Sequence, residues 1–449
     1  INVTRRGLYF SLFLIKMKHL LSVIIFIFYA HFSIADEIKI IVNMPMESSK
    51  PLNQCKTEIC KLLLSNIKSA KRTIDFAIYG LRGQDEILSA LINAEKRGVF
   101  VRGIVDKDVG INNYYTDTHL IDKNLRNIKS DYKIDLITDE YLKRKFKDYN
   151  KKREKGRCKR PRGTKGPLQC FEGKGYASKE EIIFKGDLMH NKFFIFDKKL
   201  VWTGSANISD TGTGGYNANI IAFIDSKFLA KYYLIEFNQM FINGKYHRKK
   251  SKLRKKKIEK FIENENVNLF FSPQGYAMQR GVIPLIRSAK KTIDVSIFFL
   301  THNSLSKELV KAHKRGVDVR VLLDATAASN GYSKHKYLRD HGIKLKVENW
   351  GGKMHMKSAV IDRKHIIVGS MNWTKAGETK NDENTIIIKN SESKAKNLTR
   401  IYNVMWDSIP EKWLNSDPNP ESLESGSSCF DETDNDFDNI IDQDEIECN

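Results

Sequence analysis

The chain repeats itself, and that limits its possible folds more than any other feature. Ala70-Lys-Arg-Thr-Ile-Asp75 returns as Ala289-Lys-Lys-Thr-Ile-Asp294. Lys96-Arg-Gly-Val99, followed by Val101-Arg102 and Val105-Asp106, returns as Lys314-Arg-Gly-Val317 with Val319-Arg320 and Leu323-Asp324. Each unit reads as helix, strand (73–79; 292–300), a second helix stopped by Gly98 or Gly316, and a second strand. Apolar strands alternating with amphipathic helices predict an α/β layered fold in each half. At 449 residues and 41% hydrophobic content, each half can bury its own core. Nine prolines and 27 glycines exclude collagen-like and low-complexity architectures.

A denser pattern follows in both halves. Copy one is His190-Asn-Lys192, then Asp197, then Gly204-Ser205-Ala-Asn207. Copy two is His355-Met-Lys357, then Asp362, then Gly369-Ser370-Met-Asn372, at the same spacing throughout. Strand-like blocks 193–196 and 358–361 separate each His/Lys pair from its Asp. Side chains at i and i+2 of a strand share a face, so each His and Lys point into one site.

This pattern resembles the signature of the phospholipase D superfamily, and the resemblance covers roughly residues 40–408. It implies two duplicated α/β/α halves related by pseudo-twofold symmetry, with one cleft shared between them. One chain carries both motifs, so a monomer suffices and no protein partner is required. The chemistry needs no metal: one imidazole can attack phosphorus while the other protonates the leaving oxygen. Two lysines with Asn and Ser donors can hold the phosphoryl oxygens. The resemblance implies a phosphohistidine intermediate, with His190 as nucleophile and His355 as general acid/base; the residues alone leave that pair of roles open. Lys192, Lys357, Asn207 and Asn372 are the expected phosphate clamp, with Ser205 and Ser370 as nearby donors. Asp197 and Asp362, further along their strands, are expected to fix the turn and neighbouring backbone.

The family usually places a carboxylate beyond the Gly-Ser motif to orient a histidine. Copy two supplies Asn381-Asp-Glu383-Asn384, whereas copy one offers only the amides of Tyr216-Asn217-Ala-Asn219. An amide stabilises imidazolium less than a carboxylate does, so the two histidines are not electronically equivalent.

The superfamily holds nucleases, phospholipases and lipid synthases, so the substrate needs its own argument. The stretch 369–384 looks most like the superfamily's small bacterial endonucleases and the mitochondrial nuclease/cardiolipin hydrolase branch. Charge points the same way. The formal net charge is +22. Residues 1–35 hold four basic residues and no acid, and 416–449 hold 12 acids and no Lys or Arg, which leaves 36–415 at +30. Residues 143–166 carry 13 Lys/Arg against two acids, and 245–260 carry ten against one. Such a field suits a polyanion and favours nucleic acid. An anionic phospholipid membrane attracts the same lysines, so a phospholipase D is the alternative. A non-catalytic nucleic-acid-binding protein is the second.

The Asp106-to-His190 interval exceeds the Asp324-to-His355 interval by 53 residues. This places a basic, Cys-containing insertion at about 110–185 within half one (36–244). A basic linker is expected at 245–265, half two at 266–415, and an acidic tail at 416–449. Residues 1–16 read as upstream sequence. Residues 17–35, with a basic start, an apolar core and Ser33-Ile34-Ala35 at the exit, read as a cleaved signal peptide for secretion or a periplasm. Cys55, Cys60, Cys158, Cys170, Cys429 and Cys448 fit that oxidising route, most simply as local disulfides 55–60, 158–170 and 429–448.

In the tail, 422–428 is Gly/Ser-bearing and reads as a linker. Beyond it Asp434, Asp436, Asp438, Ile440, Asp442 and Glu445 approximate the calcium-loop template, with Asn439 where the template has glycine. The loop resembles those of EF-hand, dockerin and thrombospondin type 3 modules, and implies a structural calcium but no catalytic cofactor.

Overall fold

The computed structural model describes residues 36–45, 50–106, 115–131, 187–251, 258–262, 264–436 and 441–449, with the backbone of 158–159 and 169–170. The signal-peptide segment and most of the insertion lie outside the described residues.

The first half runs β1 (Glu37–Asn43), α1 (Glu58–Ser69), β2 (Thr73–Ile78), α2 (Asp85–Lys96), β3 (Phe100–Val105), α3 (Thr118–Asn124), β4 (Ile128–Ser130), β5 (Phe193–Phe196), β6 (Leu200–Gly204), β7 (Asn219–Asp225) and α4 (Lys227–Phe241). Its sheet has the order β1-β7-β6-β5-β2-β3-β4. The second half runs β8 (Ile258–Ile262), β9 (Glu265–Ser272), α5 (Ile283–Ser288), β10 (Thr292–Ile297), α6 (Asn303–Lys314), β11 (Asp318–Leu323), β12 (Lys344–Val347), β13 (Lys357–Ile361), β14 (His365–Gly369), β15 (Glu383–Lys389) and α7 (Glu392–Ser408). Its order, β8-β9-β15-β14-β13-β10-β11-β12, is the same series with β8 added at one edge. The duplicated α/β fold read from the repeat is thus the fold of the chain.

Local chemistry explains the elements. Thr57 caps α1 by accepting from Cys60 N–H at 3.1 Å. Helices α2 and α6 stop at Gly98 and Gly316, which hold φ of 89° and 88° with open space around them. Glycine is there for the left-handed backbone and not for lack of room. The repeated Asp of Thr-Ile-Asp is explained by burial. Asp75 Oδ1 accepts from Arg102 Nε at 2.6 Å, and Asp294 Oδ1 from Arg320 Nε at 2.8 Å. Each guanidinium lies over an aromatic ring of the helix behind it, Arg102 over Phe237 at 4.9 Å and Arg320 over Tyr402 at 4.8 Å. Removing one partner would strand a buried charge, which is a reason for both repeats to keep both residues.

One hydrophobic core fills the first half around Ile59, Leu63 and Phe76, and another fills the second around Ile286, Leu309 and Val321. A third belongs to both, bringing Met189, Phe193 and Tyr233 against Phe271, Met354 and Leu398. The edge-on contacts Phe193–Tyr233 at 5.2 Å and Tyr233–Phe271 at 5.1 Å cross it. Among the described residues, no helix is long and apolar enough to cross a membrane.

Several boundaries differ from the sequence reading. The insertion starts later than about 110, because α3 and β4 are the counterparts of the segment leading to β12, and β4 pairs with β3 in the sheet. Within it, the backbone pairs Cys158 with Cys170 across a two-stranded antiparallel ladder. The 245–265 stretch is more than a linker: it contains β8, paired along its length with β9, and its His247 and Lys250 are buried. Segment 422–428 is an ordered turn, with Ser422 N–H donating to Ser428 Oγ at 3.1 Å. Disulfides join Cys55 to Cys60 and Cys429 to Cys448.

Candidate active site

His190 and Lys192 lie on the approach to β5, and His355 lies two residues before Lys357, the first residue of β13. Both approaches bond to the other half. Met189 bridges to Asp382 and Met354 to Ala218, in parallel. His190 N–H donates to Asp382 O at 3.0 Å, and His355 N–H donates to Ala218 O at 3.0 Å. The backbone each half sends out beyond its Gly-Ser motif therefore holds the other half's histidine.

The side chains follow the same exchange. Both oxygens of Glu383 stand 2.9 Å from His190 Nδ1, and Oε2 also accepts from Ser370 Oγ at 2.7 Å. His355 Nδ1 is 3.2 Å from Asn219 Oδ1, which accepts from Ser205 Oγ at 2.8 Å. An acceptor at Nδ1 keeps that nitrogen protonated and leaves Nε2 as the working atom of both rings. The serines thus orient the acceptors instead of serving as phosphate donors, because a hydroxyl has one proton to give.

Each lysine curls back on its own strand. Lys192 Nζ donates to His190 O at 3.0 Å and Lys357 Nζ to His355 O at 2.6 Å. Tyr79 and Phe298, at equivalent ends of β2 and β10, back the two His/Lys pairs. Tyr79 lies 5.1 Å edge-on from the His190 ring with Lys192 Nζ 5.6 Å above its own ring. Phe298 lies 4.9 Å from the His355 ring with Lys357 Nζ at 4.8 Å. Asn207 Nδ2 donates to Tyr115 Oη, and Asn207 Oδ1 and Asn372 Oδ1 are buried with no hydrogen-bond partner among the described residues.

All of this is shut away from bulk water: His190 and His355 are 7% and 6% exposed, Lys192 and Lys357 0% and 1%. Burial, then the two lysines, holds both imidazoles well below the ordinary histidine range. Burial lowers Lys192 to about 7 and takes Lys357 well below its usual value. Burial also lifts the Glu383 carboxyl to about 8, against the pull of both lysines. Two amines and two imidazoles held short of full charge make a site that gains from an anion, since a bound phosphate group favours the charged form of each.

The family model described as "Cardiolipin synthase, PLD-like domain" matches residues 63–241 and 282–406, more than half of the chain. The chain belongs to the phospholipase D superfamily. A relative of this superfamily, a mitochondrial cardiolipin hydrolase of Chlamydomonas reinhardtii, is 30% identical over 120 residues, 27% of this chain. The match spans about half of that relative's length, 53%. A phospholipase D of Rickettsia conorii is 31% identical over 154 residues, 34% of this chain and 70% of the relative. Among solved structures, Nuc from Salmonella typhimurium, a phospholipase D family member, is 32% identical and covers 32% of this chain and 97% of its own, with a TM-score of 0.31. Phosphatidylserine synthase from Haemophilus influenzae shares the superfamily fold over 83% of this chain and 86% of its own, at 11% identity and a TM-score of 0.54.

The motif aspartates of this superfamily member sit away from the imidazoles. Asp197 accepts from the N–H groups of Lys71, Arg72 and Thr73 at 2.7–2.9 Å, and Asp362 from those of Lys290, Lys291 and Thr292. Each opens a three-residue hairpin loop whose first two positions have positive φ, Asp197-Lys198 and Asp362-Arg363.

The tail packs on the loop leading to His355. Asn435 O accepts from Lys353 Nζ at 2.7 Å, and Tyr216 Oη donates to the Asp431 carboxylate. Glu421, Asp434 and Asp436 each bring a carboxylate oxygen within 4.8 Å of the others. Glu421 lies outside the loop read from spacing, and its two oxygens accept from the N–H groups of Asn435 and Asp442. Asp442 turns its carboxylate to the N–H groups of Asp431 and Glu432. Glu445 is buried, and Asp438 and Ile440 lie outside the described residues.

Nothing in the sequence distinguishes Asn219 from Asn217 as the His355 partner. Tyr79 and Phe298 carry one local signal, being aromatic residues at matching places in the repeat.

Proposed function

We propose that the chain hydrolyses phosphodiester bonds, with nucleic acid as substrate, by two in-line displacements at phosphorus. The observation that carries the assignment of roles is the exchange of partners: His190 faces a carboxylate and His355 faces an amide. In the first step His190 Nε2 attacks phosphorus, and the bond to the leaving oxygen breaks as its electron pair takes a proton from His355 Nε2. Phosphorylation at Nε2 makes the His190 ring cationic, and that charge favours the ionised form of Glu383, which stabilises the ring through the Nδ1 proton. In the second step His355, now neutral, removes a proton from water, whose oxygen displaces His190 and leaves a phosphomonoester. An amide partner suits a group that must give up and regain a proton each cycle, because it does not lock in the imidazolium. Lys192, Lys357, Asn207 and Asn372 hold the non-bridging oxygens.

The +30 body supports nucleic acid over lipid, and the relatives include a cardiolipin hydrolase and a phospholipase D, so the lipid reading is the one to test against. The disulfides at Cys55–Cys60 and Cys429–Cys448 suit an exported enzyme. Wild type, His190→Ala and His355→Asn are assayed in EDTA on plasmid, on single-stranded RNA and on vesicles of cardiolipin or phosphatidylcholine. The expected result is nucleic-acid cleavage by wild type alone, falling steeply with salt as counterions compete for phosphates. Turnover of vesicles without nucleic-acid cleavage would transfer the reading to a phospholipase; retained activity in both variants would end it.

A further inference from the structure

Asp382 departs from the symmetry of the site. Its backbone makes the bridge that holds His190, and its counterpart in the other bridge, which holds His355, is Ala218. An alanine is therefore enough for the bridge, and the Asp382 carboxylate does something the other half does without. It is fully buried, on the opposite side of the strand from Glu383. Oδ1 accepts from His247 N–H at 2.8 Å and from Lys250 Nζ at 2.7 Å, and Oδ2 lies 3.1 Å from His247 Nδ1. Lys250 also donates to Ser272 O at 2.8 Å and pairs with Glu236, whose other oxygen accepts from Gln274 at 2.7 Å. His247 Nε2 reaches Asp131 at 3.1 Å, and the neighbouring Arg248 reaches Asp187 at 3.4 Å.

The segment joining the two halves is thus pinned to Asp382, the residue whose carbonyl accepts from His190 N–H and which directly precedes Glu383. We infer that Asp382, clasped by His247 and Lys250, is a positioning residue for the His190–Glu383 pair, setting where the Nδ1 acceptor and the His190 backbone stand relative to each other. The inference rests on the catalytic reading above. Charge-assisted bonds in a dry interior hold geometry tightly, and a misplacement of about 1 Å at a reacting group costs on the order of 100-fold in rate. The Ala218 side has no such clasp on its bridging residue, and its histidine is only required to move protons.

The test uses the full chain with bis(4-nitrophenyl) phosphate, a small diester whose turnover is independent of the macromolecular substrate. Asp382→Asn keeps the shape and removes the charge. Its kcat is expected to fall by about 10–100-fold with KM within about twofold, together with a shift of the His190 Nδ1–H resonance in 15N-histidine spectra. A folded Asp382→Asn protein with wild-type kcat and an unmoved resonance overturns the inference, whatever its thermal midpoint. Should Asp382→Asn not fold, Asp382→Ala/Lys250→Met/Glu236→Gln removes the Lys250 cation together with both carboxylates it pairs and is held to the same two readouts. His190→Ala is the separate control. Wild-type turnover in that variant, or none in wild type, overturns the catalytic reading and the inference with it; loss in His190→Ala beside full activity in folded Asp382→Asn overturns the inference alone.

Discussion

Glu383 belongs to the second repeat and His190 to the first, yet both carboxylate oxygens stand 2.9 Å from that imidazole's Nδ1. The reciprocal contact, Asn219 on His355, carries an amide in the same place. Neither half is a site by itself, because each holds the group that orients the other's histidine.

Glu383→Gln is expected to lower kcat by roughly 10–100-fold, the usual cost of losing a partner that orients an imidazole, with KM little changed. Single-turnover measurement of phosphohistidine formation checks it, and formation at the wild-type rate would contradict the role given to Glu383.

Asn219→Asp gives His355 a carboxylate like that of His190. A charged partner favours imidazolium, so the His355 value rises. The limb of the kcat–pH profile that reports this group should move to higher pH, measured on the small diester from pH 4 to 9.

Asp197→Ala and Asp362→Ala remove acceptors for three backbone N–H groups each, far from the imidazoles. Each should cost about 1–2 kcal/mol of stability and leave kcat within about twofold at a temperature where the variant is folded. Denaturant titration and steady-state kinetics together check this, and a large kcat loss in a stable variant would place these residues in the chemistry.

His247 adds a pH term to stability. Burial alone would lower its value, but hydrogen bonds and charge from Asp131 and Asp382 lift it to about 9. An unfolded histidine titrates near 6.5. A folded value above the unfolded one means that the stabilisation is complete below pH ~6.5 and is lost as pH rises through 9. The full term is about 3 kcal/mol. The difference in thermal midpoint between wild type and His247→Gln should be widest near pH 6 and closed by pH 10.

The duplicated halves, the Gly98 and Gly316 helix stops and the His190/Lys192 and His355/Lys357 pairs were all legible in the sequence. They depend on local rules: a repeat spacing, a backbone angle that only glycine adopts easily, and the alternation of a strand. Which acceptor meets which imidazole is different. Glu383 lies 193 residues from His190, and nothing local distinguishes it from a carboxylate that serves its own copy. The shared core decided that pairing, by setting 188–190 against 381–383. The same holds for Ser205 and Ser370, read as phosphate donors until the fold turned their hydroxyls onto Asn219 and Glu383. It holds for Lys250, one of ten basic residues in a run that reads as a basic linker. Only the convergence of Asp382 and Glu236 from distant segments makes its burial possible. Sequence determined what each half is and which groups can do chemistry. Tertiary packing decided their partners, because hydrogen bonds and desolvation act over a few ångströms between segments that the chain order keeps far apart.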